Sequence, residues 1–141
     1  MSEPTQERAK WSAVHFKNQL LLKVMKQLAG NAEVSFEGNL RSLNLAAVAG
    51  ASTDETDLLK RNTIWPRLDF VILPLEPDTI RSIQRVMGGT IPKSVLHIQI
   101  AKAGKLEFGA YDQFHPGALF FGEALGGDFI DALVRDGILE R

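Results

Sequence analysis

Apolar and polar residues alternate twice along Ser94 to His115, SVLHIQIAKAGKLEFGAYDQFH, with a turn between the two runs. Leu96, Ile98 and Ile100 alternate on the first run and Leu106, Phe108 and Ala110 on the second, so one register should bring all six to one face. A two-residue turn at Ala103-Gly104 scatters them, because it sets Leu96, Ile98 and Ile100 against Tyr111, Gly109 and Glu107. A three-residue loop, Lys102-Ala103-Gly104, pairs Ile100 with Leu106, Ile98 with Phe108 and Leu96 with Ala110. It also puts Gly104 where such loops use a left-handed glycine. The bulged turn is therefore expected, with Val95, His97, Gln99, Glu107, Gly109 and Tyr111 on the opposite face.

Helical spacing of Trp11, Val14, Leu21, Leu22, Met25 and Leu28 predicts a long first helix from Thr5 to Leu28, stopped by Gly30-Asn31. A second apolar seam, Ala13, Phe16, Leu20 and Val24, gives that helix more apolar width than one core face uses. AEVSFEGNLRSLNL alternates from Ala32 to Glu37 and resumes at Leu43 and Leu45, which predicts a hairpin. The continuous apolar run LDFVILPL, Leu68 to Leu75, predicts a central strand covered on both faces and ended by Pro74. EPDTIRSIQRVMGG then reads as a short helix, with Pro77 in its first turn, Ile80, Ile83 and Met87 inward, and Gly88-Gly89 as its stop. A last helix is expected after Asp128 as cap, with Phe129, Ile130, Leu133 and Val134 inward and Gly137 as its end.

These elements predict a single α+β domain over residues 1–141. Its mixed sheet is built from hairpins plus one strand-helix-strand crossover, and the long N-terminal and short C-terminal helices pack on it. The Leu68 to Leu75 strand belongs near the sheet centre, and the Val95 to Tyr111 hairpin, with its polar face, nearer an edge.

Composition narrows the classes without choosing among them. The chain has 141 residues, 45% hydrophobic and 23% charged, which suits one folded domain. A formal net charge of -1 with no basic tail argues against a general nucleic-acid binder. The absence of cysteine excludes disulfides, thiolate metal sites and a cysteine nucleophile, and the cytoplasm is the expected compartment. Neither a signal-peptide pattern nor a membrane-length apolar run is present. No cofactor is expected.

Three places could carry chemistry. In the bulged register, Glu107 and Tyr111 are diagonal neighbours of His97, so His97 could act as a general base oriented by Glu107, with Tyr111 or His115 as proton donor. The plain reading is a solvated sheet face. Beyond the strand, YDQFHPG brings Asp112 and His115 near enough in sequence to join His97 around a metal, but the spacing matches no metal signature and none is assigned. KRNTIWPR, Lys60 to Arg67, flanks Trp65 with three cations and could stack on a base and hold a phosphate. Against this, Asp54, Glu55 and Asp57 could neutralise it, with Trp65 anchored in the core. Trp65, Arg67 and Asp112 are thus the candidate ligand contacts. A non-catalytic binding or assembly module is the favoured function, ahead of a small hydrolase-like acid-base enzyme and a nucleotide or single-strand binder. The partner is an unidentified protein or small molecule, and the spare seam of Phe16, Leu20 and Val24 predicts a homodimer through the first helix.

Overall fold

Val34, Phe36, Ile98, Ile100, Phe108 and Ala110 do gather on one face, and the sheet they build is the frame of the computed structural model, which describes residues 11–141. In chain order the elements are β1 (Ala13–Val14), α1 (Lys17–Leu28), β2 (Ala32–Gly38), β3 (Asp69–Pro74), α2 (Pro77–Met87), β4 (Val95–Lys102), β5 (Lys105–Ala110), β6 (Leu119–Phe121), α3 (Gly127–Arg135) and β7 (Leu139–Glu140). Five strands form one sheet in the order β3-β2-β4-β5-β6, and β1 pairs separately with β7. The class is α+β, as expected. Every ladder is antiparallel, and the crossover strands β3 and β4 run the same way only because both are antiparallel to β2, which lies between them. Helix α2 makes that connection, bounded by Pro77 in its first turn and by Gly88, whose left-handed backbone returns its N–H to the Gln84 carbonyl.

The first helix is shorter than its periodicity suggests. It starts at Lys17, because Ala13 and Val14 are extended and pair with Glu140 and Leu139 at the other end of the chain. The expected helical residues 5–10 lie outside the described residues. The seam predicted to be spare is not spare: Leu20 and Val24 are fully buried in the core of their own chain, alongside Leu21, Met25 and Leu28. Of the three residues expected to dimerise, only Phe16 is exposed, at 51%, where it precedes the helix.

Strand β3 is an edge strand, not a central one. Its apolar character on both faces has a different cause. Val71 and Leu73 enter the main core, while Phe70 and Ile72 meet Leu59, Ala101 and Leu106 on the opposite face, under the segment that precedes β3. The chain covers its own edge there, with Ser52 bridging Ile72 through both backbone bonds. Nor does β2 form a hairpin with the Leu43–Leu45 run, which turns through a short 3-10 helix at Leu45–Ala47. The neighbours of β2 are β3 and β4. At its end Gly38 lies so close to the Ser94 carbonyl that any Cβ would collide with it.

The β4–β5 hairpin also departs from the expected register. Lys102 faces Lys105 across a two-residue turn whose Ala103 and Gly104 both have positive φ, 52° and 84°. Both values suit a type I′ turn. The mismatch is absorbed one step further along: Ile100 pairs with Phe108 but Ala101 with Leu106, leaving Glu107 as the extra residue of a bulge. Ile98 then pairs with Ala110, and Leu106 moves to the second face beside Ala101. A second irregularity, between Glu37 and Gly38, pairs Gly38 with Val95 and puts Val95 rather than Leu96 in the core. Strand β4 lies at the sheet centre, where Lys102 reaches the last carbonyls of α1, bonding Leu28 at 3.0 Å and Ala29 at 3.3 Å. Helix α3 is capped by Gly126, so Asp128 sits in its first turn and is not the cap.

Candidate functional site

The second face of the sheet holds a row of buried polar side chains: Ser35, Glu37, His97, Gln99, Glu107 and, just past β5, Tyr111. Buried groups of this kind need partners, and those partners define what the row does. Glu37, 1% exposed, accepts the backbone N–H groups of Asn62 at 2.6 Å and Thr63 at 3.1 Å. Thr63 then bonds His97 Nε2 through its hydroxyl at 2.8 Å, and the Asp112 N–H donates to His97 Nδ1 at 3.2 Å. Because Nδ1 accepts from an amide, the neutral ring carries its proton on Nε2 and donates it to Thr63. Both ring nitrogens are thereby engaged within the chain.

The expected acid-base set is only partly assembled. Tyr111 lies beside His97 with ring centres 5.8 Å apart and accepts from Gln99 Nε2 at 3.1 Å, and Gln99 in turn accepts from Ser35 at 3.4 Å. Glu107 does not bond the imidazole, because the bulge aims its carboxylate at the Ala124 N–H, 3.0 Å away. The Tyr111 ring lies over Gly109: a Cβ there would stand 2.6 Å from the Tyr111 hydroxyl oxygen. His115 turns back to accept from Gly117 N–H at 3.0 Å, capping the 3-10 turn at Pro116–Ala118. Asp112 contributes its backbone to His97, and its side chain is exposed. Among the described residues no three His, Asp or Glu side chains converge as a metal site would require.

Asp112, Gln113 and Phe114 all have positive φ, 52°, 58° and 64°, forming one left-handed turn closed by the His115 N–H on the Tyr111 carbonyl. Such a run costs about 1–2 kcal/mol per residue. Its returns are specific: Asp112 N–H reaches His97, Gln113 N–H reaches the Leu96 carbonyl, and Phe114 is buried in the main core.

The same polar row anchors the segment before β3 and thereby builds a second site. With Asn62 and Thr63 pinned to Glu37, the following residues project outward, and Ile64 and Trp65 are 96% and 83% exposed. Trp65, expected to anchor in the core, does the reverse. Behind this tip, a cavity of about 430 Å³ runs along the start of β3, lined by Arg41, Arg61 and Arg67 with Leu40, Leu45 and Phe70 among its apolar walls. Arg61 is fixed by three contacts: its guanidinium bonds Glu55 at 2.7 Å, its Nε donates to the Leu68 carbonyl at 3.0 Å, and it stacks 5.2 Å from the Phe70 ring centre. The Arg61 backbone amide, and then its guanidinium, hold the Glu55 carboxyl below its ordinary value. The pair is therefore in place at neutral pH and is lost only as pH falls through that lowered range. Asp69, at the cavity wall, accepts the Leu40 N–H at 3.0 Å. Arg41 and Arg67 enter none of the ion pairs among the described residues.

Of the residues singled out in the sequence, Arg67 lines this cavity and Trp65 does not, and Arg41, the fixed role of Arg61 and the buried acid Glu37 carry no sequence signal. Arg41 arrives through the Leu40–Asp69 bond, a contact between distant segments that periodicity does not carry. No helix among the described residues is long and apolar enough to cross a membrane. No family model, curated protein or solved structure matches this chain.

Proposed function

We propose that this protein is a non-catalytic binding module, cytoplasmic in setting, that takes an anionic ligand in the cavity lined by Arg41, Arg61 and Arg67. The observation that carries the reading is that three arginines line one cavity, two of them, Arg41 and Arg67, in no ion pair among the described residues. Arginine forks suit carboxylate and phosphate oxygens, and the apolar walls suit a ligand with more than charge to bury. The polar row supports the reading indirectly, since its bonds to Asn62 and Thr63 hold the cavity wall in place. Calorimetric titration with inorganic pyrophosphate and with citrate at low salt tests it. Binding to at least one probe is expected, with a loss of about tenfold in each of Arg41→Ala and Arg67→Ala, equivalent to about 1.4 kcal/mol. Absence of binding to both probes by the wild-type protein would overturn it.

One observation favours a second reading, the acid-base enzyme. The left-handed turn Asp112 to Phe114 adjoins His97 and Tyr111, and backbone strain of this sort concentrates at active sites. That reading predicts esterase or phosphatase turnover that disappears in a folded His97→Ala protein. A wild-type protein inactive across such substrates counts against it.

A further inference from the structure

We infer that the tip at Ile64-Trp65 docks the protein on an anionic membrane surface, with a phospholipid headgroup as the anion taken by the arginine cavity. The inference rests on the binding reading above and names the source of its anion. Ile64 and Trp65 are the two most exposed large apolar side chains among the described residues. Their exposure is built into the fold. On the leg before the tip, the Glu37 carboxylate holds the Asn62 and Thr63 amides. Below the tip, Arg61 Nε donates to the Leu68 carbonyl and ties that leg to the one that follows. The chain thus holds two adjacent apolar side chains out in water, where they gain nothing from their own fold.

Charge and depth select the occupant. Tryptophan favours the boundary between hydrocarbon and water, and cations beside it hold anionic headgroups. Arg67, in the cavity wall, follows Trp65 by two residues. Two residues of extended chain span about 7 Å, which matches a headgroup layer about 5–8 Å deep on each side of a bilayer. With Trp65 at the hydrocarbon boundary, the cavity therefore stands at the level of the phosphates. The nearby acids do not cancel this charge. Glu55 is paired with Arg61, and Asp69 accepts the Leu40 N–H. Asp57 precedes Leu58, which lies with Glu33 and Gly104 at the far end of the sheet, about 13 Å along β2 from Glu37. Exposed Asp54 adjoins Thr53 of the cavity wall and is outnumbered by Lys60, Arg41 and Arg67, none of which enters an ion pair among the described residues. A second copy would set these cations against their own duplicates, whereas a projecting tip enters a fluid lipid surface without a complementary pocket.

The test sediments the full chain with vesicles of phosphatidylcholine alone, and with vesicles of phosphatidylcholine and phosphatidylserine in equal parts, beside a titration with pyrophosphate. The protein should bind the mixed vesicles about tenfold more tightly than the neutral ones, and less tightly as salt rises. Its tryptophan emission should move to the blue, through Trp65, because Trp11 is already buried. The variant carrying Ile64→Ser and Trp65→Ser, both outside the core, should lose about tenfold in affinity for the mixed vesicles and keep its pyrophosphate affinity within about twofold. Failure of the wild-type protein to bind the mixed vesicles, or equal binding by the variant, would overturn membrane docking, and pyrophosphate binding in the same protein would leave the anion site standing. A wild-type dimer that the variant converts to a monomer would assign the tip to a second copy and overturn docking as well. If neither vesicles nor pyrophosphate bound, docking and the anion site would fall together.

Discussion

Truncating Phe36 to alanine is expected to destabilise the protein by about 3–5 kcal/mol, the range for removing a buried phenylalanine. Phe36 is fully buried on β2 and faces Val71 on one neighbouring strand and Ile98 on the other. Strands on both sides hold the backbone in place, so the surroundings can close only part of the resulting cavity. Phe36→Leu should cost much less, within about 1.5 kcal/mol, because it keeps most of the volume. Urea unfolding followed by circular dichroism checks both variants. Against a total stability of about 5–15 kcal/mol, the alanine protein should unfold at a clearly lower midpoint with little change in slope. Coincident curves for the wild-type and alanine proteins would mean that Phe36 is not at the core.

The second large effect belongs to Glu37→Ala, expected to cost about 2 kcal/mol through the loss of charge-assisted bonds to two backbone amides. Its wider consequence is functional. The Asn62 and Thr63 amides lose their acceptor, and His97 keeps the Asp112 N–H at Nδ1 while its Nε2 partner, Thr63, is freed. Hydrogen exchange should then speed up across Leu59 to Arg67, and the arginine cavity should lose affinity for anions although no arginine has been altered. Glu37→Gln keeps one acceptor oxygen and should fall between the two proteins. Unchanged exchange in that segment would separate Glu37 from the site.

What the sequence made legible was local. Helix α2 is punctuated by Pro77 and Gly88, its stripe of Ile80 and Ile83 is regular, and the structure keeps all of these. The alternation on β4 and β5 is equally plain, but its register is not, because the bulge at Glu107 allows Phe108 and Leu106 to serve opposite faces. Parity arguments assume an unbroken ladder. The polar residues on β2 and β4 read as solvent-facing because alternation cannot show that another segment folds over them, and burial of Glu37 and His97 depends on that cover. The same blindness moved β3 to the centre: Phe70 and Ile72 are covered by the chain's own 52–63 stretch, not by a neighbouring strand. Of the candidate site, the Lys60 to Arg67 segment was visible by composition, whereas its convergence with Arg41 depends on the distant bond between Leu40 and Asp69.

The most direct measurement is a map of backbone amide shifts recorded while pyrophosphate is titrated into the isotopically labelled protein. The predicted result places the largest shifts at Arg41, Arg61, Arg67 and Phe70, saturating together, with the amides around His97, Gln99 and Tyr111 nearly still. Shifts centred on His97 and Tyr111 with Arg41 and Arg67 unmoved would contradict it.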